Sequence, residues 1–211
     1  MLSLLVEDFE IADQVGRSRL LMPGVDWTKI RADTPLRPQR GHRLSLEVRG
    51  AADAIGSDTS FVQATAHGKW IWSLPSLARL IVRADLGSTA ERSFDELPAS
   101  VRFFAGGDNS VRGYDFESLG PRDELGELIG GDRLLEASIE YEHPVVGAWS
   151  VAAFVDAGNA YLKDEGFDAQ VGAGVGARWL SPLGPVRVDI AWPRDGEDRR
   201  PELHISLGPD L

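Results

Sequence analysis

Hydrophobic and polar residues alternate along most of this chain with a period of two, which is the pattern of a β-strand whose two faces meet different surroundings. The clearest run covers residues 133–142, with Leu135, Ala137, Ile139 and Tyr141 on one face and Glu136, Ser138, Glu140 and Glu142 on the other. The same alternation predicts about ten strands in all. They cover residues 2–10, 17–28, 42–50, 60–70, 77–87, 133–142, 149–157, 170–179, 186–192 and 203–207.

Strands of roughly ten residues with one apolar face and one polar, glycine-rich face are what the wall of a tilted membrane barrel requires. We therefore predict an all-β fold, an antiparallel transmembrane β-barrel. A soluble β-sandwich buries its apolar face instead and has the same periodicity, so the alternation by itself leaves both folds open. Phe154 is the residue that interrupts the otherwise polar face of residues 149–157.

The connections between the predicted strands favour the barrel. Short turns at residues 144–147 and 181–185 alternate with long polar connections at 88–131, 159–169 and 194–201. Outer-membrane barrels have this asymmetry, with short periplasmic turns and longer outer loops. Four tryptophans lie near the short turns, as in an aromatic girdle at a membrane interface, although tryptophans also fill sandwich interiors. These four are Trp70, Trp72, Trp149 and Trp179.

Composition narrows the function. A net charge of -11 without a basic stripe argues against nucleic acid as a partner. The chain has no cysteine, which excludes disulfides and thiolate metal sites. No apolar run is long enough for a transmembrane helix, and residues 1–8 lack the basic region and apolar core of a signal peptide. If the protein reaches an outer membrane, we expect its N-terminal part to be missing from this sequence.

Residues suited to enzymatic chemistry are scattered along the chain. The histidines, His42, His67, His143 and His204, lack the spacing of paired metal ligands. Gly172, Gly174 and Gly176 are spaced by two, which thins the inner face of a strand and does not make a dinucleotide fingerprint. We therefore predict no enzyme, no metal and no cofactor. The acidic run at residues 195–198 is predicted to be a solvated loop tip.

The long connection at residues 88–131 carries the most informative motif, since connections of this length within a compact fold are uncommon and usually functional. It contains the pair Gly106-Gly107, followed by the tetrad Val111, Arg112, Gly113 and Tyr114. This segment resembles the conserved lumen loop of the outer-membrane assembly factors, the superfamily that includes BamA and TamA. A glycine-rich hairpin tip with one exposed arginine would have a similar composition.

The resemblance extends over residues 101–211. The segments 140–144, 154–159, 172–179, 181–185 and 207–211 resemble, in order, the final strands of a TamA-type barrel. The ending on Leu211 differs from BamA, which ends on an aromatic residue. The resemblance therefore implies that residues 1–211 are the C-terminal part of a bacterial surface antigen type β-barrel, about ten of an expected sixteen strands, with residues 88–131 inserted in its lumen.

The resemblance also implies roles for particular residues. The loop arginine, Arg112, is expected to reach carboxylates on the inner wall, which motif matching places at Glu140 and Asp156. Adjacent strands lie about 5 Å apart, so one guanidinium fork can contact both. At the chain end, Gly208 has no side chain to pack and Pro209 has no amide hydrogen, so we expect a weak seam there.

The function implied by the resemblance is an outer-membrane factor of protein translocation and assembly. It would help client β-barrel proteins or autotransporters into or across the bilayer, with a TamB-like partner bound through the missing N-terminal domains. Its localisation would be the bacterial outer membrane. Two alternatives stay open, a two-partner secretion transporter pore and a soluble ligand-binding β-sandwich.

Overall fold

The computed structural model describes residues 2–11, 14–182, 184–194 and 200–211. The predicted acidic loop tip at residues 195–198 lies outside these residues. Ten β-strands account for most of the described chain. Their bounds are β1 Leu2–Ile11, β2 Gln14–Ala32, β3 Gly41–Ala51, β4 Phe61–Ser73, β5 Arg79–Glu91, β6 Arg133–Val146, β7 Trp149–Tyr161, β8 Gln170–Ser181, β9 Gly184–Pro193 and β10 Glu202–Leu207. Four 3₁₀ turns of three residues each are the only helical elements in these ranges, at Asp53–Ile55, Pro75–Leu77, Phe94–Glu96 and Ala99–Val101.

The strands form one antiparallel sheet in which each strand pairs with its neighbours in sequence, from β1 to β10. Within the described ranges β1 and β10 are not paired with each other, so the sheet is open. This topology confirms the predicted all-β antiparallel fold. The sandwich hypothesis is wrong, because the strands form a single sheet and not two packed layers.

The two faces of the sheet have opposite character, as the alternation predicts. The face on which the connection between β5 and β6 packs is called the inner face here, and it carries buried polar side chains. On β6 these are Glu136, Ser138, Glu140 and Glu142, each at most 8% exposed. The outer face carries exposed apolar side chains, such as Ile139, which is 57% exposed, and Val155, which is 52% exposed. Such an outer face suits lipid and not water.

Most strands extend beyond the residues that alternation predicts. β5 continues through Glu91, because residues 88–91 still pair with the start of β4. The long connection therefore covers residues 92–132, whereas the prediction was 88–131, and the main difference is its later start. From β4 onward, short turns lie at one end of the sheet and long connections at the other, and Trp72, Trp149 and Trp179 are exposed on the outer face near the short turns. The indole rings of Trp149 and Trp179 stack with centroids 5.9 Å apart.

A small hydrophobic cluster holds the beginning of the long connection. Leu97, which follows the 3₁₀ turn Phe94–Glu96, and Val101, the last residue of the next turn, pack against Leu20, Met22, Ala51 and Phe61 of β2, β3 and β4. Leu97 is fully buried and Val101 is 2% exposed. The guanidinium of Arg102 donates to the Leu97 carbonyl at 2.9 Å and lies 4.4 Å from the Phe94 ring centre. The connection is therefore already fixed to β2–β4 where it enters the inner face.

No helix in the described ranges is long and apolar enough to cross a membrane.

Candidate functional site: the loop arginine and its carboxylates

The tetrad Val111-Arg112-Gly113-Tyr114 lies where the connection reaches the inner faces of β6 to β9. Val111 is fully buried and Arg112 is 7% exposed. Gly113 has a φ of +97°, in the left-handed region that side chains disfavour, and its backbone passes close to Trp192. The Tyr114 hydroxyl donates to the carbonyl of Val171, at 3.3 Å. The arginine therefore lies between a buried valine and a tyrosine whose hydroxyl is bound to β8.

Arg112 binds the side chains of three strands. Its Nε donates to Asp156 Oδ2 at 2.7 Å and its Nη2 to Asp156 Oδ1 at 3.0 Å, a bidentate pair. The backbone N–H of Arg112 also donates to Asp156, at 3.1 Å. Its Nη1 donates to Glu140 Oε2 at 2.9 Å and to Asp189 Oδ2 at 3.1 Å. The structure thus places Arg112 in contact with Glu140 and Asp156, the two carboxylates that motif matching named, and with Asp189 of β9 in addition, whereas the role of this contact stays a prediction.

A second arginine, Arg178 of β8, binds two of the same carboxylates. Its Nη2 donates to Glu140 Oε1 at 2.9 Å and to Asp189 Oδ2 at 3.2 Å. Sequence reasoning missed Arg178 and Asp189 as members of the site. Their positions on the polar faces of β8 and β9 were visible in the alternation, but alternation does not indicate which polar residues meet, and motif matching named neither of them.

The aromatic residue that interrupts the polar face has a place in this site. Phe154 is 4% exposed, and the guanidinium carbon of Arg112 lies 3.3 Å from the centre of its ring. A cation over the face of an aromatic ring is attracted by the negative charge of that face. Phe154 therefore belongs to the site and is not an irregularity of the strand.

The glycines of β8 make room for this cluster. A Cβ at Gly172 would lie 1.8 Å from the Arg112 carbonyl oxygen, and one at Gly174 would lie 2.4 Å from the Phe154 ring. A Cβ at Gly176 would lie 1.8 Å from Asp189 Oδ1. The spacing by two therefore leaves a strip of β8 without side chains, into which the loop and its partners fit. This agrees with the prediction that these glycines thin the inner face.

The electrostatics keep the site charged. Burial lowers the pKa of Arg112, but its hydrogen bonds with Asp156 and the charges of Asp156 and Glu140 outweigh burial and raise the pKa above its ordinary value. Two guanidinium groups, Arg112 and Arg178, share the three carboxylates of Glu140, Asp156 and Asp189. The arrangement can hold a loop in place. It offers no free nucleophile.

His204 of β10 fastens the neighbouring part of the loop. The backbone N–H of Gly113 donates to His204 Nε2 at 3.0 Å, so Nε2 is the ring nitrogen that carries no hydrogen. Its Nδ1 faces the carboxylate of Asp108, as donor. The loop thereby contacts the last strand of the sheet as well as β6 to β9. Within the described ranges, no group of residues has the composition of a metal site.

The predicted seam residues lie just beyond β10. The N–H of Gly208 donates to the carbonyl of Pro185, at 3.2 Å, so the chain stays on the β9 side as it leaves the strand. Pro209 follows and is exposed, whereas Asp210 is 3% exposed on the inner face. The structure places Gly208 and Pro209 at a bend of the chain, and their role at a seam stays a prediction.

Comparisons with known proteins cover nearly the whole chain. A family model described as "Omp85 superfamily domain" matches residues 9–209. The outer membrane protein assembly factor BamA of Nitratidesulfovibrio vulgaris is 28% identical over 210 residues, which are 94% of this chain and 26% of that protein. BamA of Neisseria meningitidis serogroup B is 28% identical over 223 residues, covering 87% of this chain and 28% of that protein. This chain thus spans about a quarter of the length of these relatives.

A solved structure agrees in fold. The crystal structure of BamA from Haemophilus ducreyi lacking POTRA domains 1–3 superposes with a TM-score of 0.79 at 20% sequence identity. The match covers 95% of this chain and 45% of that one. At this identity the likeness concerns the fold alone, and it accounts for nearly every strand described above.

Proposed function

This chain belongs to the Omp85 superfamily, and we propose that it forms the C-terminal part of an outer-membrane β-barrel that assembles client proteins into the membrane. Superfamily membership confirms the predicted outer-membrane localisation. It also agrees with the prediction that the chain is not an enzyme. The assembly activity itself is proposed here, since the relatives that carry the name are about four times as long as the match.

The observation that carries the proposal is the loop fastened by Arg112 against the inner face of a sheet whose outer face is apolar. An apolar outer face suits a barrel wall in lipid, and a polar inner face suits an enclosed lumen. Residues 88–131 would then lie in this lumen, with Arg112, Glu140 and Asp156 as the contact that keeps them there. A loop held in this way limits the lumen and supports the wall behind it.

Client strands would bind at the edge of the last strand. Within the described residues β10 pairs with β9 alone, and its other edge presents main-chain groups that are not paired. Such an edge is a template on which an incoming strand forms main-chain hydrogen bonds. Gly208 and Pro209 would end this edge, because Pro209 has no N–H to donate. The lipid bilayer and the client proteins are therefore the proposed partners.

The finer assignment to TamA rests on the sequence ending Gly208-Pro209-Asp210-Leu211 and on the order of the matching segments. With it go autotransporter clients and a TamB-like partner bound through N-terminal domains. The relatives reported above carry the name BamA. A two-partner secretion pore, which exports one dedicated substrate, stays the alternative within the same superfamily.

Depletion of the intact protein in its own bacterium tests the proposal. We expect outer-membrane proteins as a class to lose heat-modifiable gel mobility, which reports a folded barrel. Loss limited to autotransporter passengers would favour the TamA-like assignment, and loss of one secreted substrate alone would favour the secretion pore. Undisturbed outer-membrane proteins and secretion would overturn the proposal.

Expression of variants in the depleted cells tests whether the activity depends on the Arg112 contact. Intact protein carrying Arg112→Ala should fail to restore assembly. Arg92→Ala is the matched control in the same loop, because the Arg92 side chain is 81% exposed and its ion pair with Asp53, at 3.5 Å, lies at the surface. Equal rescue by both variants would show that the Arg112 contact is not what the activity requires.

A further inference from the structure

The residues after β10 do not continue the sheet but cross its inner face. Gly208 adopts a φ of +147°, which a side chain would strain, and turns the chain away from the strand. Asp210 then reaches the inner face, where it is 3% exposed. The side chain of Leu211 extends to the start of β3, since a Cβ built on Gly41 would lie 2.7 Å from Leu211 Cδ1. The C-terminal segment, residues 208–211, therefore spans from β9 to β3.

Asp210 is bound by arginines of two separate strands. Arg79 of β5 donates from Nη1 to Asp210 Oδ2, at 2.7 Å. Arg187 of β9 donates from Nη2 to Asp210 Oδ1 and also to the Gly208 carbonyl. Arg79 is itself 2% exposed, and its Nη1 also donates to the Pro38 carbonyl at 2.8 Å. One carboxylate thus joins β5 and β9, and Arg79 extends this contact to the turn between β2 and β3.

The same arginine continues the network to the short turns. Glu142 of β6, which is 1% exposed, accepts from both Arg79 and Arg37. Arg37 also donates to the hydroxyl of Ser150, at 2.8 Å. Three arginines, Arg37, Arg79 and Arg187, therefore share the two carboxylates of Glu142 and Asp210. Without Asp210, Arg37 and Arg79 would share Glu142 alone, and Arg187 would lose its carboxylate partner.

We propose that Arg79 and Arg187 form a carboxylate-binding site whose ligand is the chain's own Asp210, and that this contact latches the C-terminal segment across the inner face. Burying a charge is costly unless a partner compensates it, and removing one partner of a buried pair leaves the other uncompensated. The arginines of the wall therefore favour the state in which the segment stays docked. The segment is fastened there, although Gly208 and Pro209 by themselves predict a weak seam.

The latch determines where the last strand can separate, a consequence that rests on the proposed function. β10 runs from the long connection toward the short turns, and the latch lies beyond its last residue, Leu207. An edge fixed at that end opens first at the other end, near Glu202. A client strand would therefore pair with β10 from its beginning while Asp210 stays bound.

Hydrogen exchange on the intact protein in lipid nanodiscs tests the latch directly. Asp210→Asn and Arg187→Gln remove the contact from opposite sides, and each should raise the exchange rate of the peptide covering residues 206–211 about tenfold or more, since about 1.4 kcal/mol of lost protection corresponds to a factor of ten. Arg79 is not the choice for substitution, because it also holds Pro38 and Glu142. Asp164→Asn is the control, at an exposed aspartate in the connection between β7 and β8.

Peptides of β7 serve as the internal measure of folding. With β7 protection intact, unchanged exchange of residues 206–211 in both variants would overturn the latch. If one of the two variants also loses β7 protection, the other variant decides the test. An equal rise of exchange in residues 206–211 of the Asp164→Asn control would also overturn the inference. The readout concerns this protein alone, so failure of the latch is distinguished from failure of the proposed function, which the depletion experiment measures.

Discussion

The long loop and the C-terminal segment are fastened to the same inner face by ionic clusters of opposite composition. In the loop cluster the loop brings a cation, Arg112, to a wall that is rich in carboxylates. In the C-terminal cluster the segment brings a carboxylate, Asp210, to a wall that is rich in arginines. In both regions the element that leaves the sheet supplies the charge that the wall lacks.

The charges of the inner face make the docking of each element specific. The loop cluster has two arginines for three carboxylates, and the C-terminal cluster has three arginines for two carboxylates. Each cluster alone carries an excess charge, and that excess grows when the docking element is removed. The wall therefore favours docking of one particular element at each place, and like charges would oppose an exchange of the two.

The two regions differ in how closely the wall surrounds the docking residue. Arg112 has a bidentate partner, a ring beneath it and a strip of β8 without side chains. Asp210 has two arginines and a bend at Gly208. We therefore expect the loop cluster to tolerate substitution less well than the C-terminal cluster.

The largest effect should come from Arg112. Arg112→Ala leaves Asp156 without a cation and leaves Glu140 and Asp189 with Arg178 alone, so we expect a loss of about 3 to 5 kcal/mol in the free energy of unfolding. Arg112→Lys keeps the charge but loses the bidentate fork, so it should also destabilise. Denaturant unfolding of the intact protein in lipid vesicles, followed by tryptophan fluorescence, measures both, with Arg92→Ala as the control. If Arg112→Lys unfolds at the wild-type midpoint, the fork is not essential.

A smaller effect is expected from filling the strip on β8. Gly176→Ala places a Cβ against Asp189 and Arg178 and should cost about 1 to 3 kcal/mol by overpacking. Ala173→Val adds bulk on the exposed outer face of the same strand and should change stability little. The same unfolding measurement distinguishes them. Equal stability of both variants would show that the cluster can shift away from the strand.

Acid should release the C-terminal segment, because the contact depends on the ionised carboxyl of Asp210. Burial raises the pKa of Asp210, but the charges of Arg79 and Arg187 outweigh burial and hold it below its ordinary value. A carboxyl with a depressed folded pKa adds stability above its unfolded pKa, about 3.9, and loses it as the pH falls through the folded value. Exchange protection of residues 206–211, corrected for intrinsic rates, should therefore stay constant from about pH 7 to about pH 5 and fall below about pH 4.

The loop arginine has the opposite sign. A raised pKa means that the contribution of Arg112 is fully present below its unfolded value and is lost only as the pH rises through the higher folded value. Alkaline conditions up to about pH 10 should leave the loop docked. For the C-terminal segment, in contrast, loss of the exchange protection of residues 206–211 near neutral pH would contradict the assignment of the latch to Asp210.

The smallest effect should come from Arg37. Its side chain is 19% exposed, and Glu142 keeps Arg79 as a second partner when Arg37 is removed. Arg37→Gln should therefore cost about 1 kcal/mol or less. Unfolding compared with Asp210→Asn measures the difference, and a larger loss for Arg37→Gln would show that the turn between β2 and β3, rather than the C-terminal segment, holds the cluster together.

Much of the architecture could be predicted from the sequence. Period-two alternation gives the ten strands and their two faces because successive side chains of a strand point to opposite sides. It also places Glu140 and Asp156 on the face that Arg112 reaches, and the spacing of Gly172, Gly174 and Gly176 indicates a strip without side chains. The ends of the strands were less accurate, because pairing with a neighbour carried β5 through Glu91 although its alternation weakens after Gly87.

The tertiary structure decided which polar residues meet across the inner face. Asp210 and Arg79 are 131 positions apart, and Arg112 and Asp189 are 77 apart. Alternation assigns Arg79 and Asp189 to a face of the sheet, but it contains no information on the path of the loop that carries Arg112 or on the bend at Gly208 that precedes Asp210. Those depend on the excess charge of each wall, which arises only when strands distant in sequence lie side by side. The sequence by itself therefore determined the sheet and its faces, and only the assembled sheet determined which loop cation and which terminal carboxylate it binds.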